Sequence, residues 1–156
     1  MNRKFQEKDL VLATHNFGKI EEFKHLFGKV NFNITDIGQY SGKTPEETGG
    51  SFWENSLIKA REATKLTGLV SLADDSGLCV DILDGAPGIY SADWAIKSDG
   101  SRDFKFATNK LLREIEKNNF EGPCTAYFIC SLILYWPDNH FEKFEGKIYG
   151  EIIWPG

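Results

Sequence analysis

Cysteine is scarce and poorly placed for a scaffold. Cys79, Cys124 and Cys130 are the three in 156 residues, and they form neither a CxxC pair nor an even, regularly spaced set. That excludes a disulfide-stapled mini-protein, and the thiols read as reduced core residues. Long apolar runs are missing as well: none approaches the roughly 18 residues of a membrane span, and Met1 to Asp9 is too charged for a secretory signal. The expectation is a soluble cytoplasmic chain with no membrane partner. Nor is there a basic run. Lys and Arg number 18 against 23 Asp and Glu, a net charge of -5, and the cations are scattered. A nucleic-acid polymer is therefore not an expected partner, although a local cluster of cations or a metal lets an acidic protein hold a small polyanion. No repeat, low-complexity segment or linker divides the sequence, and its length suits one core, so residues 1–156 are expected to form one domain.

Several catalytic signatures are also absent. His15, His25 and His140 show no HxH or HExxH spacing, which leaves zinc unsupported. Ser76 lacks a GxSxG context, and neither a Walker loop nor a dinucleotide glycine pattern occurs.

What is present is a mixture of strand and helix periods. Asp9 to Thr14 carries the apolar run Leu10-Val11-Leu12 of a buried strand, followed by the loop His15-Asn16-Phe17-Gly18. From Lys19 a helical face begins, with Ile20, Phe23, Leu26 and Phe27, and with Glu21 and Glu22 in the first turn. A weak strand spans Phe32 to Ile37, and a polar loop to Gly50 carries Glu46 and Glu47. Ser51 and Glu54 form an S-x-x-E capping box that starts a helix with apolar positions Trp53, Leu57, Ala60 and Ala63, and Gly68 stops it. Val70 to Ala73 reads as a strand interrupted at Asp74-Asp75-Ser76-Gly77, with a second strand at Leu78 to Leu83, so the acids are expected at a strand end or bend. After a loop at Gly85, Pro87 and Gly88, the residues Phe104, Leu111, Leu112 and Ile115 mark a helix ending near Asn118-Asn119. Thr125 to Trp136 and Phe141 to Ile153 then form a long hairpin around Pro137-Asp138-Asn139. The pattern predicts an α/β or α+β fold around a mixed sheet.

Two segments have chemical potential. Thr14 to Lys19 joins a strand to a helix, where unpaired N–H groups and the Lys19 ammonium suit a phosphate; the alternative is an ordinary turn capped by Asn16 with Lys19 solvated. Asp74 and Asp75 end an apolar strand, and magnesium, which binds through one or two carboxylates plus substrate phosphates, would compensate them with help from Glu46 or Glu47. The alternative there is a solvated turn closed by Ser76 and Gly77. Asn55 and Lys59, four apart on the second helix, face one cleft or else are solvated.

Taken in order, LATHNFGK at Leu12 to Lys19, EETG at Glu46 to Gly49, FWENSLIKA at Phe52 to Ala60 and LADDSGLCVDILDGAPGIYSADWA at Leu72 to Ala95 closely resemble the inosine triphosphate pyrophosphatase family. FEGKIYGEI at Phe144 to Ile152 resembles the family's penultimate strand. The resemblance implies an elongated, two-lobed α/β fold with a nucleotide cleft between lobes, usually dimeric. It implies hydrolysis of ITP, dITP and XTP to the monophosphate and pyrophosphate, with Mg²⁺ as cofactor. By position, Thr14, His15, Asn16, Phe17, Gly18, Lys19 and Ser76 would bind substrate. Glu46 and Asp75 would hold the metal, with Glu47 as the alternative to Glu46, and Asp75 would accept the proton of the attacking water. Asp93 stands where the family commonly has arginine, and Ser56 where it has alanine. The sequence given stops at Trp154-Pro155-Gly156, before the family's GFGYDP-type base-recognition segment. The expectation there is weak base discrimination, and the rival reading is a nucleotide- and metal-binding remnant or gene fragment with little turnover.

Overall fold

The computed structural model describes residues 3–118 and 122–153, so Asn119 and the Trp154-Pro155-Gly156 end lie outside the described residues. The strands are β1 (Asp9–Leu12), β2 (Asn33–Asp36), β3 (Val70–Val80), β4 (Thr125–Tyr135) and β5 (Phe141–Glu151). The helices are α1 (Phe17–Phe27), α2 (Phe52–Thr67) and α3 (Phe104–Lys117). The five strands form one sheet in the order β2-β1-β3-β4-β5. β1 is parallel to both neighbours, Leu10 standing opposite Ile34 on one side and Val70 on the other. β4 and β5 are adjacent and joined by a tight turn in which Trp136 N–H donates to His140 O at 2.9 Å, which makes the expected hairpin. The mixed α/β fold anticipated from the sequence is thus present.

The chain divides into two compact units, Met1–Asp75 with Ser131–Phe144, and Ser76–Cys130 with Glu145–Gly156. In the first unit, the chain leaves β1 through α1 to reach β2, then returns through α2 to β3 on the far side of β1. Crossovers between parallel strands are right-handed, so two that run in opposite directions place their helices on opposite faces. Side-chain alternation follows that division. Leu10, Leu12, Val70 and Leu72 pack with Ile20 of α1 and with Trp136, backed by Phe23 and Phe27. Val11, Ala13 and Ala73 pack with Ala60 and Ala63 of α2 and with Ile133 and Tyr135. Burying each Leu, Val or Ile this way contributes about 1.5–3 kcal/mol relative to exposure, and a one-residue slip would exchange the two faces.

The helix boundaries have local causes. Asn16 caps α1, its Oδ1 accepting Lys19 N–H at 3.3 Å, so the helix starts at Phe17 and Glu21 and Glu22 lie beyond its first turn, contrary to expectation. Ser51 caps α2 by accepting Glu54 N–H at 3.4 Å, while the Glu54 carboxylate reaches Gly50 N–H at 2.9 Å, one residue before the partner that a capping box uses. Gly68, at φ 71°, ends α2 in the left-handed region that glycine adopts without a Cβ penalty. The buried side of α2 is Phe52, Asn55, Ser56, Ala60, Ala63 and Thr64. Trp53, expected on the apolar face, is half-buried beneath the Lys143 ammonium.

The largest departure from the sequence reading is β3, a single uninterrupted strand from Val70 to Val80 rather than two strands broken at Asp74. Both acids therefore lie inside a strand and are buried. Turn propensity loses here because each carboxylate meets a lysine from a flanking helix, which removes the need to bend the chain towards water.

The second unit has its own core, Val80, Leu111 and Ala126, joined by Leu78, Ile82, Leu83, Trp94 and Ile115. Asp103 caps α3 through Lys105 N–H at 2.9 Å. α3 begins at Phe104, one of the residues that marked it in the sequence, although that side chain is exposed while Leu111 and Leu112 are buried. The predicted strand continuing to Leu83 ends at Val80, where a 3-10 turn, Asp81–Leu83, begins. Cys79 is buried, whereas Cys124 and Cys130 are half-buried.

Candidate functional site

Open parallel sheets bind ligands at the carboxyl ends of strands where successive crossovers diverge. In the order β2-β1-β3, that point lies between the ends of β1 and β3. The loop Thr14 to Lys19 leaves β1 there, and Asp74 and Asp75 follow the paired stretch of β3, in which Leu12 stands opposite Leu72. All these residues belong to the first unit.

Alternation on β3 sends the two carboxylates to opposite helices. Asp74 shares the face of Leu72 and meets α1, where Lys19 Nζ lies 2.5 Å from its Oδ2. Asp75 shares the face of Ala73 and meets α2. There Asn55 Nδ2 donates to Asp75 Oδ2 at 3.1 Å, and Lys59 Nζ lies 3.8 Å from Oδ1. The same ammonium lies 3.0 Å from Glu47 Oε1. Burial pushes the Asp75 carboxyl above the ordinary range; Lys59 and the Asn55 hydrogen bond pull the other way, and the Glu47 charge adds to the rise. A carboxylate so desolvated and incompletely compensated suits proton abstraction or cation binding.

The β1–α1 loop is internally braced. Asn16 N–H donates to Thr14 Oγ1 at 3.1 Å. The N–H groups of Phe17 and Gly18 have no partner among the described residues, so the helix start presents unsatisfied donors. A Cβ on Gly18 would sit 3.3 Å from Asn16 Oδ1 and crowd that cap. His15 turns to the 41–44 loop, one ring nitrogen 2.8 Å from Ser41 O and the other 3.1 Å from Thr44 Oγ1. Phe17 is 75% exposed. Ser76 follows Asp75 on β3, is half-buried, and falls in the second unit.

Of the two candidate acids in the 46–47 loop, Glu47 is brought to Asp75 through Lys59. Glu46 is exposed and forms no ion pair among the described residues. No cluster of three or more His, Cys, Asp or Glu able to hold a metal occurs among the described residues. Two hard oxygen donors gathered around one ammonium fit a cation that completes its shell with phosphate and water, the pattern of magnesium.

Reading the sequence placed Asn55 and Lys59 on one helical face, and the structure brings both to Asp75. The Lys19–Asp74 contact was not foreseen. Its only trace in the sequence is the strand rule itself: if the DDSG segment is extended, adjacent acids must face opposite helices.

A profile described as the Ham1 family matches residues 10–156. The chain is 44% identical over 155 residues to a dITP/XTP pyrophosphatase of Rhizobium meliloti (strain 1021), covering 98% of this chain and 72% of the relative. It is 43% identical to one from Ruegeria pomeroyi, covering 99% of this chain and 76% of that one. Among solved structures, a HAM1 protein from Coxiella burnetii matches with a TM-score of 0.84 at 33% identity, over 94% of this chain and 73% of that one. The Ham1 protein of Staphylococcus aureus matches with a TM-score of 0.80 at 35% identity, over 94% and 72%.

Proposed function

The chain belongs to the Ham1 family, and from that premise we propose that it hydrolyses non-standard purine nucleoside triphosphates such as dITP and XTP to the monophosphate and pyrophosphate. The relatives' names support an enzyme over a binding remnant. The observation that carries the reading is Asp75: a buried carboxylate inside a strand, just past the stretch of β3 that pairs with β1, faced by Lys59, Asn55 and, through Lys59, a second acid.

In this reading water attacks the α-phosphorus, the bond from that phosphorus to the bridging oxygen breaks, and pyrophosphate leaves. Asp75 orients the water and takes its proton. The loop Thr14 to Lys19 holds phosphate oxygens with its open N–H groups and with Lys19, whose ammonium the ligand shares with Asp74. His15 anchors the loop to its neighbour, and Ser76 contacts substrate. Mg²⁺ would be held by Asp75 and one acid of the 46–47 loop, and when bound supplies charge neutralisation at the phosphates. The shared Lys59 favours Glu47 over Glu46. One domain over residues 1–156, a homodimer and a cytoplasmic location, with no nucleic-acid partner, complete the reading. Among the described residues no helix is long and apolar enough to cross a membrane.

The test is hydrolysis of XTP and dITP by the chain, with and without Mg²⁺. Cation-dependent pyrophosphate release is expected. Orthophosphate as the first product, or no release from either substrate, would overturn the reading.

A further inference from the structure

We propose that Asn55 is a positioning residue whose amide ties the acidic loop to Asp75 and so sets the spacing of the two carboxylates that take the cation. The inference rests on the functional reading above and deepens it.

Asn55 is 2% exposed and uses both ends of its amide. Oδ1 accepts Gly49 N–H at 2.9 Å, and Nδ2 donates to Asp75 Oδ2 at 3.1 Å. These partners fix the orientation of the group. A backbone N–H only donates and a carboxylate only accepts, so a flipped amide would set donor against donor and acceptor against acceptor. The loop lies this close to the start of α2 because residue 49 has no side chain. A Cβ there would sit 2.6 Å from Asn55 Oδ1, 2.7 Å from Glu54 Cβ and 2.9 Å from Asn55 N. Gly49 is two residues from Glu47, so holding Gly49 limits where that carboxylate reaches.

Lys59, one turn further along the same face, draws the same two acids together by charge. Its 3.8 Å separation from Asp75 is too long for a hydrogen bond. The Asn55 amide, by contrast, makes a directional hydrogen bond to Asp75. An ammonium attracts acids without fixing their spacing, whereas a small cation such as Mg²⁺ demands near-ideal oxygen geometry.

A purely structural role for Asn55 makes a different prediction, and its neighbour provides the comparison. Ser56 is also fully buried on α2 and donates to Ser131 O at 2.8 Å, away from the carboxylates. Ser56→Ala removes a buried hydrogen bond without touching the proposed tie.

The experiment uses the full chain with Mn²⁺ as probe. Bound Mn²⁺ is measured by electron paramagnetic resonance with and without XTP, alongside thermal melting and the Mg²⁺ dependence of turnover. Asn55→Ala should weaken Mn²⁺ binding by roughly ten-fold, the lower end of what loss of a group supporting a metal ligand costs. It should also raise the Mg²⁺ concentration for half-maximal turnover, while Ser56→Ala leaves both near wild type. Gly49→Ala keeps Asn55 but pushes the loop away, and should reproduce the Asn55→Ala effect; it decides the matter if Asn55→Ala does not fold. Wild-type Mn²⁺ affinity in a folded Asn55→Ala or Gly49→Ala protein overturns the proposal alone, as do losses in Asn55→Ala and Ser56→Ala that merely track melting temperature. Absence of Mn²⁺ binding to the wild-type chain, with or without XTP, would overturn the metal reading beneath it as well.

Discussion

Asp74 and Asp75 are adjacent, of the same type and buried to nearly the same degree, 5% and 8% exposed, yet the fold gives them different neighbours. Asp74 points to α1 and closes on the Lys19 ammonium. Asp75 points to α2, where a more distant lysine is divided between it and Glu47, and where burial outweighs the groups that favour its charge. Residue type and burial therefore do not tell the two acids apart. What separates the two is how completely each face of the strand compensates the charge it buries. Asp74 pairs with Lys19 and holds it at the loop, while at Asp75 burial raises the carboxyl against the pull of Lys59 and Asn55.

The largest effect expected from breaking this contrast is on turnover. Asp75→Asn should lower pyrophosphate release from XTP by about 100-fold or more, the scale of a lost general base, measured at saturating substrate with the fold checked by circular dichroism. A comparable loss is not expected from Asp74→Asn, whose effect should appear mainly in KM through the misplaced Lys19. Next is Lys19→Met, which should weaken triphosphate binding by roughly 10-fold or more, the worth of a charge-assisted hydrogen bond, and leave nucleoside binding unchanged. Calorimetry with XTP and with the nucleoside distinguishes the two.

How much of this was legible beforehand depended on range. Signals within a few residues were read well: the Asn16 alternative cap, Ser51 at the start of α2, Gly68 at its end and the turn at Pro137 to Asn139 all act over one turn of chain. The DDSG segment was misread for the same reason. Locally it is turn chemistry, and the partners that keep it extended lie 55 residues away at Lys19 and 20 away at Asn55. Trp53 was read on the apolar face of α2, but the buried face runs through Phe52, Asn55, Ser56, Ala60, Ala63 and Thr64 and leaves Trp53 to one side. That Glu47 rather than Glu46 meets Lys59 is likewise set by the fold and not by the local sequence, in which the two acids are equivalent neighbours.

A smaller effect concerns pH. The Asp75 carboxyl is raised in the folded state above its ordinary 3.8, so the folded chain binds more protons there than the unfolded chain. Its contribution is then fully present below that value and is lost as pH rises through the folded pKa. Relative to wild type, Asp75→Asn should gain stability across that window, a gap followed by melting at stepped pH without added metal. A widening deficit instead would contradict the burial argument. The smallest effect is a control away from both acids: Gly68→Ala, which forces a Cβ into the left-handed region, should cost about 1 kcal/mol, lower Tm by about 2–4 °C and leave turnover unchanged in an assay well below the melt.

The most direct test is the melting temperature of Asp74→Asn and Asp75→Asn side by side at pH 7 in metal-free buffer. Asp74→Asn should lower Tm by about 2–4 °C, because it breaks a charged pair that is partly exposed on the Lys19 side and worth about 1 kcal/mol. Asp75→Asn should raise Tm by a similar amount, because it removes a buried charge that its neighbours do not fully compensate. Shifts of the same sign and size in both variants would contradict the division of labour between the two aspartates.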